Sequence, residues 1–194
     1  MIEQAATKKR GRRDILLTIA RSAISEALGL SLNGFIPFQA DWLQKKTACF
    51  VTLKMNGKLR GCIGSLKAYR SLDEDLYANA IAAALHDPRF PPLTAEELDK
   101  VKIEVSLLSP MRRLKVSSES EAVAALEPGR HGVVFQYGEH HATFLPQVWE
   151  QLPDARQFLA QLRFKAGLAP DFWHPDVLVY TYRVERFSED EELE

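Results

Sequence analysis

Cysteine is nearly absent: Cys49 and Cys62 are the only two in 194 residues, which excludes a disulfide-stapled secreted scaffold. Long apolar runs are missing as well. The stretch that begins at Ile15 is interrupted by Arg21 and Glu26, so it forms neither a signal core nor a membrane span, and a reducing cytoplasm is the expected home. Neither sign of charge dominates. A net charge of −1 argues against an extended nucleic-acid surface, whose affinity would come from neutralising many phosphates. The chain also lacks a glycine-rich phosphate loop, a nucleophile elbow and the cysteine triad of an iron–sulfur cluster. Its histidines, at 86, 131, 140, 141 and 174, do not keep the spacing of a zinc site, and no metal site is expected.

What is present is ordinary globular material: 46% hydrophobic and 26% charged residues, enough for one generous domain. A basic start (Lys8, Lys9, Arg10, Arg12, Arg13) makes residues 1–11 an expected solvated tail. An acidic end (Glu189, Asp190, Glu191, Glu192, Glu194) does the same for 189–194, leaving one domain over 12–188. Apolar residues Ile15, Leu16, Ile19, Ala23, Ala27 and Leu28 predict a helix from about Arg12 to Leu28, ended by Gly29 and Asn33-Gly34. A loop through Phe35, Pro37, Phe38 and Trp42 follows. Asn56-Gly57 predicts a hairpin between Thr47–Met55 and Lys58–Gly64. Ser71 with Glu74, and Thr94 with Glu97, have capping-box spacing for two helices. Val101 to Leu108 alternates as a strand. In the second half, Gly132–Tyr137 and His141–Leu145 read as a hairpin, Pro146 and Asp154 open helices, and Asp176–Phe187 reads as one long final strand. Both halves, about 47–108 and 131–187, thus run hairpin, two helices, strand. The expected class is α+β: a single, mainly antiparallel sheet with packed helices.

The segment Leu59-Arg60-Gly61-Cys62-Ile63-Gly64 resembles the signature strand of the AMMECR domain family, which is also met as protein A of the AmmeMemoRadiSam gene system. Asp87-Pro88-Arg89-Phe90-Pro91-Pro92-Leu93 is similar to the family's proline-rich loop, and Ile103–Leu108 to the strand after it. The segments Ala142–Trp149 and Lys165–Leu168 also fall where the family has similar ones. The resemblance implies a sheet built from two similar repeats and association with a radical-SAM-type and a Memo-type protein. It brings no activity and no cofactor with it. Members often carry a cysteine in the helix before Lys165; this chain has Arg163 there, so a mechanism needing two family cysteines does not transfer.

Alternation along the signature strand puts Arg60, Cys62 and Gly64 on one face. With a two-residue turn at Asn56-Gly57, Cys62 falls opposite Val51 and Arg60 opposite Leu53; a bulge would shift that register by one. Cys49 is then diagonal to Cys62 at about 7 Å, too far for a disulfide, so both thiols are expected free. The candidate catalytic set is Cys62, as nucleophile or thiol ligand, with Arg60 favouring the thiolate and Glu104 as Arg60's neighbour. Candidate binding positions are Gly61, Gly64 and Ser65 on the strand, Asp87 and Arg89 in the loop, Ser106 beside Glu104, and Gln147 farther on. The competing reading is structural: Cys62 is a small packed residue, Gly61 and Gly64 relieve crowding under a helix, and Arg89 pairs with a carboxylate. Two functions remain open, an accessory module that docks partner enzymes and a small-molecule enzyme built on Cys62. Nucleic-acid binding through the basic start ranks third.

Overall fold

The Asn56-Gly57 turn forms as predicted, with both residues at positive φ, 51° and 73°. It joins β1 (Cys49–Met55) to β2 (Lys58–Gly64) as antiparallel neighbours. The computed structural model describes residues 2–30 and 38–190, with the backbone alone over 2–10. The predicted loop through Phe35 and Pro37, and the Asn33-Gly34 stop, lie outside the described residues.

The chain divides into two compact units, residues 1–108 with 185–194, and 109–184. In the first, β3 (Val101–Leu108) pairs antiparallel with β1, and β8 (Val184–Ser188) completes a sheet of order β2-β1-β3-β8. Helices α1 (Ile2–Ala27) and α2 (Leu72–Leu85) cover one face, where Leu16, Ile24, Leu76, Val51, Leu53 and Ile103 are buried together. Both capping boxes close. Glu74 Oε2 accepts from the Ser71 N–H at 3.3 Å to start α2, and Glu97 Oε2 from Thr94 at 3.0 Å to start α3 (Ala95–Leu98).

The second unit orders its strands β4-β7-β5-β6, from β4 (Arg112–Arg113), β5 (Gly132–Tyr137), β6 (His140–Phe144) and β7 (Leu178–Tyr182). Its helices are α4 (Glu119–Ala125) and α5 (Ala155–Lys165), with a 3-10 turn over Pro146–Glu150. Trp149 stacks on Phe158 at 3.7 Å between ring centroids and donates its indole N–H to His131 O at 2.7 Å. Buried Arg163 crosses from α5 to Glu119 of α4 at 2.8 Å and also donates to Phe172 O. In each unit the hairpin's first strand pairs with the strand that returns after the helices, β1 with β3 and β5 with β7.

The α+β class and the antiparallel pairing agree with expectation, but the single sheet is two. The long final strand is likewise two, because β7 and β8 belong to different sheets. Between them the backbone of Arg183 is held by Ser109, which donates its N–H to Arg183 O and accepts from Arg183 N on its hydroxyl, both at 2.9 Å. The acidic tail also starts later than its composition implies. Glu189 makes a two-point pair with Arg21, at 2.9 and 2.6 Å, and accepts from the Ile103 N–H at 2.8 Å. At the other end α1 runs back through the expected basic tail, whose side chains up to Arg10 lie outside the described residues. Among the described residues no helix is long and apolar enough to cross a membrane.

Candidate functional site around Cys62

A bulge decides the geometry of the signature strand. From the turn outward Met55 pairs with Lys58 and Lys54 with Leu59, but Leu53 then pairs with Gly61, so Arg60 is the extra residue. Everything beyond it shifts by one: Cys62 stands opposite Thr52 rather than Val51, and Gly64 opposite Phe50 rather than Cys49. The bulge also takes Arg60 out of phase with Cys62. Its guanidinium is buried and bonds Glu97 at 2.9 and 3.2 Å and the carbonyls of Pro91 and Pro92 at 2.9 and 3.4 Å. The expected Arg60–Glu104 pair therefore does not form, and Arg60 does not act on the thiol. Arg60, together with the Thr94 amide, instead holds the Glu97 carboxyl below its usual range.

Cys62 is fixed at three points. Its thiol lies 3.2 Å from Thr52 Oγ1. Its N–H donates to Asp87 Oδ2 at 2.8 Å, and its carbonyl accepts from Arg89 at 3.1 Å. Since β2 is an edge strand, these two backbone groups would otherwise face outward unpaired, and the loop after α2 occupies them. Arg89 in turn forks onto Asp87 at 2.7 and 2.9 Å. The Arg89 guanidinium and the Cys62 amide hold the buried Asp87 carboxyl far below the usual carboxylate range. Burial pushes the Cys62 thiol up, against the opposing pull of Thr52 and of Arg89's charge.

Glu104, almost wholly buried, stands opposite Thr52, so Cys62, Thr52 and Glu104 form a row across three adjacent strands on one face. Glu104 pairs with Lys54 at 3.1 Å and Arg186 at 3.7 Å. Thr52, Lys54 and Arg186 are the members that sequence reasoning missed. Polar residues alternating with Val51 and Leu53 were the available signal for the first two; nothing local marked Arg186. Ser106 is buried opposite Phe50. Ser65 belongs to a different cluster, donating to Asp75 at 2.7 Å beside Asn79 and the core-facing Cys49. Both cysteines are free. Gln147 lies in the second unit, its Oε1 buried without a hydrogen-bond partner among the described residues. Among the described residues no three His, Cys, Asp or Glu side chains group as a metal site.

The two glycines have distinct reasons. A β-carbon on Gly61 would come 2.1 Å from Ala83 O in α2, and one on Gly64 would enter the Phe50 ring at 2.2 Å. Close packing explains both.

Residues 17–187, spanning the Arg60 bulge, Cys62 and the Asp87–Arg89 clamp, match the AMMECR1 family. The chain belongs to that family. A protein of Methanothermobacter thermautotrophicus is 40% identical over 178 residues, covering 90% of this chain and 93% of its own length. Another from Methanopyrus kandleri is 38% identical over 189 residues, covering 92% and 88%. Among solved structures, the uncharacterised protein PH0010 of Pyrococcus horikoshii is similar to this AMMECR1 chain with a TM-score of 0.79. It is 36% identical, and 90% of each chain is covered.

Proposed function

We propose that this AMMECR1 chain is an accessory binding module that acts beside a radical-SAM-type and a Memo-type protein, rather than a complete catalyst. One observation carries the reading: Asp87 and Arg89 clamp the backbone of the candidate nucleophile, whose thiol is pushed up by burial. Arg60 and Glu104, the other members of the candidate catalytic set, are engaged within the chain, with Glu97 and with Lys54 and Arg186. What the strand presents outward are the exposed side chains of Lys58 and Leu59, with the half-exposed Arg89 in the neighbouring loop. The test is calorimetric titration of the full chain with the two partner types from the same organism. Micromolar binding is expected, weakened about tenfold by Leu59→Asp, as for an apolar anchor at an interface. Absence of any complex at micromolar concentrations removes the reading.

A second reading is favoured by the row of Cys62, Thr52 and Glu104, which leaves a small-molecule reaction at the thiol with Thr52 in the place the sequence assigned to Arg60. Alkylation rate against pH separates the two. The module reading expects slow modification of Cys62 at neutral pH, with a midpoint above the ordinary thiol range, and modification of Cys49 only on unfolding. Fast modification with a midpoint at or below neutral pH decides for the enzyme.

A further inference from the structure

The second unit contains a cavity of about 530 Å³ whose lining includes Arg112, Arg113, Arg183, His131 and Glu127. Register brings most of these together. Thr181 of β7 pairs with Arg112 of β4 on one side and with Val133 of β5 on the other, so these three share a face. Gly132 of β5 pairs with Tyr182 of β7, so His131, just before β5, and Arg183, just after β7, lie side by side at the same end of the sheet.

Elsewhere Arg21, Arg60, Arg70, Arg89 and Arg163 each hold a carboxylate, while among the described residues the exposed Arg156 of α5 holds none. Among the described residues Arg112, Arg113 and Arg183 have no ion pair and no side-chain hydrogen bond. Glu127 is the one carboxylate in the lining, and its charge is already met by Arg130 at 2.5 Å. His131 accepts the Glu127 N–H on Nδ1 at 3.1 Å, which leaves the ring's proton on Nε2. Burial first, then the charges of Arg183, Arg130 and Arg112, hold His131 below the ordinary imidazole range against the pull of Glu127. Its Nε2 lies 3.6 Å from Glu127 Oε1, so the ring sits between that carboxylate and the arginines.

We propose that this cavity binds a small organic phosphate monoester, with Arg112 and Arg183 as its principal anchors, Arg113 at the rim and His131 as a ring N–H donor. A planar carboxylate is satisfied by one guanidinium fork, whereas a tetrahedral dianion takes donors from several directions, as β4 and the residue after β7 supply them here. The volume is that of a small-molecule site and exceeds what a bare phosphate ion would fill. The proposal does not depend on the role of Cys62.

Calorimetry on the full chain at constant ionic strength tests it, with inorganic phosphate, ribose 5-phosphate, adenosine monophosphate and a single-stranded oligonucleotide as probes. At least one monoester should bind more tightly than inorganic phosphate and shift the His131 ring resonances. The Arg112→Gln/Arg183→Gln variant should lose about tenfold or more in affinity, and Arg112→Lys, which keeps charge without the fork, should fall between. Both arginines are exposed, so the variants should melt like the parent. Arg156→Gln, exposed on α5, should bind normally. No binding by either monoester, equal loss in Arg156→Gln, or tighter binding of the oligonucleotide than of any monoester overturns the proposal.

Discussion

Replacing Gly61 by alanine is expected to cost about 3 kcal/mol, at or above the upper end of ordinary overpacking. The added β-carbon lands 2.1 Å from Ala83 O and 3.1 Å from Ala83 C, both backbone atoms in the body of α2. A flexible side chain could swing aside; a helical carbonyl cannot. Moving it means lifting α2, which also packs on α1 and β1 through Leu76 and Ala80. Gly57→Ala makes the comparison sharp. Nothing lies within 4 Å of a β-carbon there, but its φ of +73° leaves a strain of about 1 kcal/mol. Urea unfolding should therefore rank the midpoints parent, Gly57→Ala, Gly61→Ala, with an unchanged slope. A Gly61→Ala protein as stable as Gly57→Ala would mean that α2 does not press on the signature strand.

The contrast between what was legible in the sequence and what was not follows the range of each interaction. Ser71 with Glu74, Thr94 with Glu97, and Asn56 with Gly57 act within four residues, and each forms as read. The strand Val101–Leu108 needed only its own alternation. The bulge at Arg60 left no such mark. A period of two looks the same with or without an extra residue, yet one residue of slip exchanged Val51 for Thr52 beside Cys62 and sent Arg60 to Glu97. Glu189 was read from its acidic neighbours, while its partner Arg21 is 168 positions away. Sheet membership failed for the same reason: no local pattern tells Val184–Ser188 that it joins β3 rather than continuing beside β5. Helix α4 and β4 went unread because they are seven and two residues long, too short for periodicity to register.

The candidate site inherits this division. Cys62, Asp87 and Arg89 were named from the sequence and do meet, the last two gripping the backbone of the first. Arg60 was named and belongs to another contact; Thr52, Lys54 and Arg186 were not named and lie on the face in question. The motif's conspicuous residues thus divide between packing (Gly61, Gly64), bracing (Arg60) and a half-buried thiol on a clamped backbone (Cys62).

Asp87→Asn is expected to lose about 2–3 kcal/mol at neutral pH, the cost of leaving a buried donor without its charged acceptor. The carboxylate serves the Cys62 N–H, the Arg89 N–H and the Arg89 guanidinium together, and a single amide oxygen cannot meet all three. Arg89 is more than half exposed and can rehydrate; the Cys62 amide, half-buried at the sheet edge, recovers less. The loss should also depend on pH. The folded carboxyl is held far below its unfolded value of about 3.9, so its stabilisation is complete above that value and vanishes as pH falls through the folded one. The parent should therefore weaken from about pH 5 downward at this group, while the asparagine variant, with nothing to protonate there, keeps a flatter acid limb. Urea midpoints at pH 7 and near pH 3 measure both limbs. A gap between parent and variant that narrows with acid locates the effect in the charge of Asp87. A gap that stays constant assigns it to the shape of the loop alone and removes the charged clamp from the account of how Cys62 is held.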